Sequence, residues 1–278
     1  VSPLTIVVLI AAAASAFAWV ASLASRDTSW VDRSWSIVPV VYVWVFALAA
    51  HGRDARLDVM AVLVTLWGAR LTFNFARKGG YSGVEDYRWA VLRDSMTPGQ
   101  FQLLNFFFVV VTQNAILVLI TLPAWNAYQH RAGATYGALD AALALAFVAC
   151  TIGEAVADEQ QWRFQAAKRA ALAAGTAPRE NFLQAGLFRY ARHPNYFFEL
   201  VQWWFLYLLG AVAAGGALQW TIIGALALSA LFVGSTRFTE QISRSKYPEY
   251  RDYQRRTSAV VPWFPRAEAG DALERAAS

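Results

Sequence analysis

The stretch Arg189-Tyr190-Ala191-Arg192-His193-Pro194-Asn195-Tyr196-Phe197-Phe198-Glu199-Leu200-Val201 sets two arginines, a histidine, an asparagine and a glutamate at the mouth of an apolar segment. Ionisable groups are costly close to hydrocarbon, so this concentration of them marks a working region. Pro194 suits the first turn of a helix, where its missing N–H loses nothing. The free N–H groups of that turn, with Arg189 and Arg192, would make an anion site. Asn195 and Glu199 are one helical turn apart and share a face just inside. The chemistry that suits these residues is the binding of a phosphorylated cofactor at a membrane surface.

A second polar face lies upstream. Glu154, Asp158, Gln161 and Gln165 recur at helical spacing. They read either as a solvated helix end or as groups that hold ribose hydroxyls and a carboxamide. Glu154 is the hardest to leave as decoration, because a carboxylate inside a span costs roughly 2.5–3.5 kcal/mol on insertion scales. Asp32-Arg33-Ser34-Trp35-Ser36 opens another apolar segment. It is either an interfacial Asp–Arg pair among belt tryptophans or the place of a substrate-polarising acid, Asp32. Trp67-Gly68-Ala69-Arg70 lies within a span. Arg70 either snorkels to the surface or pairs with Glu154, Glu85 or a cofactor phosphate. The final stretch alternates basic and aromatic residues: Arg237 through Gln241, Lys246-Tyr247-Pro248 onward, then Val261-Pro262-Trp263-Phe264-Pro265. Surface anchoring and a lid over a nucleotide suit it equally.

The elements that must position these residues are membrane helices. The chain is 57% hydrophobic and only 15% charged, with twelve tryptophans, which is too apolar for a soluble domain. Apolar runs near 4–24, 35–50, 57–77, 101–122, 137–158, 196–214 and 217–236 predict an all-α, polytopic integral membrane protein of about seven spans. The first run is too long, and lacks the basic lead, for a signal peptide. One membrane domain is expected over 1–265, with a flexible tail over 266–278.

Twenty of the 24 lysines and arginines fall on one side of this arrangement, and Arg53, Arg56 and Arg131 on the other. The positive-inside rule then predicts an outside N-terminus and a cytoplasmic C-terminus. Orientation accounts for the net charge of +5 without a nucleic-acid partner. The long connections 78–100, 159–195 and 237–278 all face the cytoplasm and carry the clustered polar residues, so the working face is expected there. Cys150 stands alone and His51, His130 and His193 are scattered, which argues against a disulfide and against a metal centre.

From Gly186-Leu187-Phe188-Arg189-Tyr190 through Glu199, supported by Glu154-x-x-x-Asp158 and Tyr247-Pro248, the chain resembles the steroid 5α-reductase family in its bacterial branch. The resemblance is good over about residues 140–265 and loose before that. It implies a seven-helix membrane enzyme, in a bacterial inner membrane, that uses NADPH to reduce the carbon–carbon double bond of a lipid-soluble enone. By that likeness Glu154, Asp158, Asn195 and Glu199 line the nicotinamide and ribose. Arg70, Arg189, Tyr190, Arg192 and Arg237 approach phosphates or close the site, and His193 and Tyr247 belong to the same cofactor region. Asp32 stands for the family's substrate-side acid. Trp67 takes the best-matching place of the family's carbonyl-polarising tyrosine, and an indole N–H can only donate. The His193-Pro194-Asn195-Tyr196 signature and the basic tail are shared with isoprenylcysteine carboxyl methyltransferases. The alternatives are therefore an S-adenosylmethionine-dependent methyltransferase and a lipid-binding membrane protein without catalysis.

Overall fold

The computed structural model describes residues 1–133 and 135–266. The elements, in order, are α1 (Pro3–Ser25), α2 (Trp30–Trp35), α3 (Val38–Ala49), α4 (Ala55–Arg77), α5 (Tyr87–Asp94), α6 (Pro98–Leu104), a π-helical segment (Asn105–Thr112), α7 (Gln113–His130), α8 (Ala138–Ala173), a 3₁₀ turn (Gly186–Arg189), α9 (Pro194–Ala213), α10 (Ile222–Lys246) and α11 (Tyr250–Arg256). Among the described residues there is no strand, only an isolated parallel bridge between Ala191 and Ser258. Of the tail expected over 266–278, Arg266 donates its N–H to the Arg256 carbonyl at 2.9 Å. The rest of that tail lies outside the described residues.

Among the described residues seven helical stretches are long and apolar enough to cross a membrane: Pro3–Ser25, Trp30–Ala49, Ala55–Arg77, Pro98–His130, Ala138–Ala173, Pro194–Ala213 and Ile222–Lys246. They expose large apolar side chains, among them Leu9, Phe17, Phe73, Phe107, Leu145 and Ile152. A soluble monomer rarely leaves so much apolar surface uncovered, so these faces meet lipid. The protein is an integral membrane protein. Its helices start where capping chemistry allows. Ser2, Asp54 and Asp86 each accept an N–H of the first turn, and Thr97 and Gln100 form a reciprocal capping box. Pro3, Pro98 and Pro194 occupy first helical positions.

The chain falls into two compact units, Val1–Ala149 with Gln202–Ser229, and Cys150–Val201 with the chain from Ala230 on. In the first unit α4 is laced to the C-cap of α2 by a hydrogen bond between Ser36 and Thr72 (2.7 Å), and to α3 by one from the Trp44 indole to Thr65 (2.9 Å). A Cβ at Gly224 would lie 2.2 Å from the Leu119 carbonyl, so α10 approaches α7 backbone to backbone there. Small residues at such crossings are the usual way membrane helices pack. Arg56 and Asp140, both 2% exposed, form a bidentate pair at 2.6 and 2.9 Å that ties the start of α4 to the start of α8.

The second unit is built from the later part of α8, the 174–193 strap, the first turns of α9 and the later part of α10 with α11. The Phe182 ring packs against Tyr247, Tyr250 and Tyr253 at 6.0, 4.9 and 5.6 Å between centroids. The Tyr253 hydroxyl donates to the Phe188 carbonyl. Burial pushes the Tyr253 phenol above its ordinary pKa, which keeps it a donor. The chain after α11 returns along the turn before α9. Arg192 N–H donates to the Ser258 carbonyl, His193 N–H to Ala259, and Trp263 N–H to Tyr190, each at 2.9 Å.

Candidate functional site

Among the described residues of the second unit four carboxylates are buried: Glu154 at 2% exposure, Asp158 at 4%, and Glu199 and Glu240 at 7%. Glu154 and Asp158 project from α8, with Gln161 and Gln165 half-buried further along the helix, so the polar stripe read from spacing is an inward face. A Cβ on Gly153 would lie 2.6 Å from the Phe198 ring, which fixes close packing of α8 on α9 one residue before Glu154 and Glu199. Tyr196 packs edge-on against Phe232 of α10 at 4.7 Å and stacks on His193 at 5.1 Å. Asn195 is half-buried beside them. On α10, one and two turns past Phe232, the hydroxyls of Thr236 and Thr239 are buried without a hydrogen-bond partner among the described residues. Buried hydroxyls of this kind leave hydrogen-bonding capacity for water or a polar ligand.

Arg192 and His193 have a defined task in this unit. The Arg192 guanidinium donates to both oxygens of Glu240 at 2.6 and 3.0 Å, to the Gln254 carbonyl at 3.1 Å and to the Thr257 carbonyl. His193 Nε2 lies 3.2 Å from Glu240 Oε1, and the Gln254 amide donates to Oε2 at 2.6 Å. Arg192 and Glu240 are each 9% exposed. These bonds fasten the segment after α11 to the turn before α9. Of the four remaining cofactor candidates here, Arg189, Tyr190 and Arg237 are exposed. Tyr247 is half-buried and accepts from Lys168 Nζ at 3.0 Å. Burial pushes the Tyr247 phenol up, but the hydrogen bonds and charges of Lys168 and Lys246 outweigh it, leaving the group below its ordinary range.

Asp32, Trp67 and Arg70 belong to the first unit. Asp32 Oδ2 accepts from the Trp89 indole at 3.0 Å. The Asp–Arg pair expected there forms differently: Arg33 pairs with Asp27 at 2.5 Å. Glu85, a conceivable partner of Arg70, pairs with Arg93 at 2.6 Å and accepts the Thr28 N–H at 2.8 Å. Arg70 is half-buried on α4. Trp67 is fully buried and meets Trp203 edge to face at 4.8 Å. The indole N–H groups of both, and the hydroxyl of fully buried Tyr42, have no acceptor among the described residues.

Sequence reasoning did not single out Glu240, Thr236, Thr239 or Trp203. Glu240 lies past the apolar run that ends near 236, and only the extension of α10 to Lys246 brings it into the last span. Trp203 carries no signal, because a tryptophan in an apolar helix is ordinarily packing. Among the described residues no group of three or more His, Cys, Asp or Glu side chains could hold a metal ion.

A family model described as "Protein of unknown function (DUF1295)" matches residues 18–257. An uncharacterized protein of Schizosaccharomyces pombe is 38% identical over 264 residues, covering 90% of this chain and 76% of that protein. No solved structure matches the chain. The family match embraces every candidate residue in both units, and the chain belongs to the DUF1295 family.

Proposed function

We propose that the protein is a membrane-embedded, NADPH-dependent reductase of a carbon–carbon double bond in a lipid-soluble enone. The observation that carries this reading is the concentration of buried polar groups in the second unit, Glu154, Asp158 and Glu199 beside the orphaned hydroxyls of Thr236 and Thr239. Carboxylates and hydroxyls gathered inside a helix packing make a polar lining of the kind a polar ligand needs. The likeness of Gly186–Glu199, Glu154-x-x-x-Asp158 and Tyr247-Pro248 to the steroid 5α-reductase family supports the same reading.

The donor and acceptor set fits a dinucleotide. Carboxylates accept from ribose hydroxyls and from a carboxamide NH₂, and Asn195 can both donate and accept. The exposed Arg189 and Arg237 suit phosphates. When bound, the nicotinamide supplies the two-electron reduction; the protein supplies binding, orientation and exclusion of water. On the substrate side, Trp67 and Trp203 offer buried indole donors and Tyr42 a buried hydroxyl, the kind of groups that stabilise negative charge growing on a carbonyl oxygen. Asp32, held by Trp89, is the acid in this reading. The side carrying most lysines and arginines is the cytoplasmic one, where NADPH is available, and the membrane is a bacterial inner membrane.

The test is turnover. Purified protein is mixed with NADPH and a panel of enones and unsaturated lipids, and nicotinamide absorbance is followed. Consumption of NADPH that requires an enone is expected. Transfer of a methyl group from S-adenosylmethionine in the same preparation, with no NADPH consumption, would replace this reading by the methyltransferase.

A further inference from the structure

We propose that the cavity beneath the strap of the second unit is a binding site for the headgroup of an anionic phospholipid. The cavity has a volume of about 580 Å³ and lies between the last turns of α8 and residues 178–186. Phe164, Ala171 and Leu183 give it an apolar floor, and Arg163, Lys168 and Arg179 bring three cations to its walls. Gln160, Arg163, Phe164, Ala167, Lys168 and Ala171 recur at helical spacing, so one continuous face of α8 forms the wall. The strap is pinned over it. Leu187 N–H donates to Gln160 Oε1 at 2.9 Å, and Gly186, at φ +64°, leaves no room for a Cβ against that carboxamide.

The depth of the site points to lipid. α8 has 36 residues, about 54 Å of helix against a hydrocarbon core of about 30 Å. An apolar stretch that crosses the core from Ala138 leaves the residues from about 160 onward at the headgroup level and beyond. Trp162, under the Arg169 guanidinium at 5.1 Å, is an interfacial anchor on the same turns. Basic pockets at that level between membrane helices are where anionic headgroups lodge.

The cations are available to such a group. Arg163 is 78% exposed and forms an i,i+4 pair with Glu159 at 2.7 Å, an interaction of little worth beside a pair with a phosphate. Lys168 donates to the Asn181 carbonyl at 2.5 Å and to Tyr247 at 3.0 Å, two of its three donors. Arg179 is exposed at the mouth. Glu180 lies on the same wall. It disfavours a doubly charged phosphomonoester and offers an acceptor to a hydroxylated headgroup, so a singly charged phosphodiester such as phosphatidylglycerol is the matching chemistry. Pro178 has no N–H to offer, unlike the glycine-rich turns that wrap nucleotide phosphates.

Placement in the cytoplasmic leaflet rests on the orientation proposed above; binding in detergent does not. Native mass spectrometry of the full chain in detergent, titrated with dioctanoyl-phosphatidylglycerol, dioctanoyl-phosphatidylcholine and adenosine 2′-phosphate, tests the site. Phosphatidylglycerol should bind at least about tenfold more tightly than phosphatidylcholine. The exposed-residue double variant Arg163→Gln/Arg179→Gln should weaken it roughly 10- to 30-fold. Leu183→Trp, which fills the floor without touching charge, should weaken it as well. Arg251→Gln/Arg255→Gln, an equal loss of charge elsewhere on the same unit, should not. Equal binding of the two lipids, or full retention of phosphatidylglycerol by the cavity double variant, would overturn the proposal. Displacement of the lipid by adenosine 2′-phosphate would also overturn it and make the cavity a nucleotide site.

Discussion

A buried donor with no acceptor is expensive, about 1–3 kcal/mol, and Trp67, Trp203 and Tyr42 each carry one. A residue kept for packing alone would do better as phenylalanine. This makes Trp67→Phe an informative substitution, because structure and catalysis should move in opposite directions. Thermal unfolding in detergent should be unchanged or shifted upward, since an unsatisfied N–H is removed. Enone reduction should fall by about 10²–10³-fold if the indole stabilises charge on the substrate oxygen. A variant with lower stability and full activity would reduce Trp67 to a packing residue. The sequence had pointed to Trp67 only through its place in a family pattern; burial and the missing acceptor give it a physical reason. Trp203, its edge-to-face neighbour, carries no sequence signal, because nothing in the spacing of an apolar helix distinguishes a donor from a filler.

At the scale of elements, the Arg192–Glu240 pair joins the turn before α9 to α10 and to the segment after α11. Removing one partner of a nearly buried pair leaves the other uncompensated, at a cost of about 3–5 kcal/mol. Arg192→Met should therefore lower the unfolding temperature markedly, and Arg192→Met/Glu240→Leu should regain much of the loss. Wild-type stability in the single variant would show the pair to be dispensable. The Lys168–Tyr247 contact gives a pH-dependent signal. The phenol is held below its ordinary pKa by the lysine charge, so its folded-state ionisation is favoured only above the folded pKa; this contact adds no stability at neutral pH, and its stabilising effect appears on the alkaline side and is lost as pH falls through the folded pKa. Near-ultraviolet difference titration should show one tyrosine ionising early, and Lys168→Met should move that step upward. An unmoved step would assign the early titration to another tyrosine.

The seven spans were legible because apolar length alone specifies them, and α4 and α9 lie within a few residues of the sequence estimate. The end of α8 was not. Hydropathy falls at residue 159 and reads as a loop, yet alanine-rich, charged sequence keeps the helix to Ala173, since alanine and long polar side chains favour it. The apolar run near 101–122 likewise falls short of α7, which continues to His130 around a buried Pro123. The burial of Glu154, Asp158 and Glu199 was legible from cost and spacing, which local sequence contains. The commitment of Arg192 to Glu240 was not, because the partner lies 48 positions away and only tertiary packing brings the two together.

For the whole molecule, the division of basic residues predicts an outside N-terminus and a cytoplasmic C-terminus. Reporter fusions at both ends check it, and a cytoplasmic N-terminus with the same C-terminal location would contradict the seven-span order. The central claim is that the second unit holds a nicotinamide nucleotide. Its most direct test is a binding titration of purified protein with NADPH and, separately, with S-adenosylmethionine, repeated on Asn195→Ala and Glu199→Ala. The account predicts saturable NADPH binding, weakened roughly 5- to 150-fold in each folded variant by loss of a buried hydrogen bond. No NADPH binding, or NADPH affinity untouched in both variants, would contradict it.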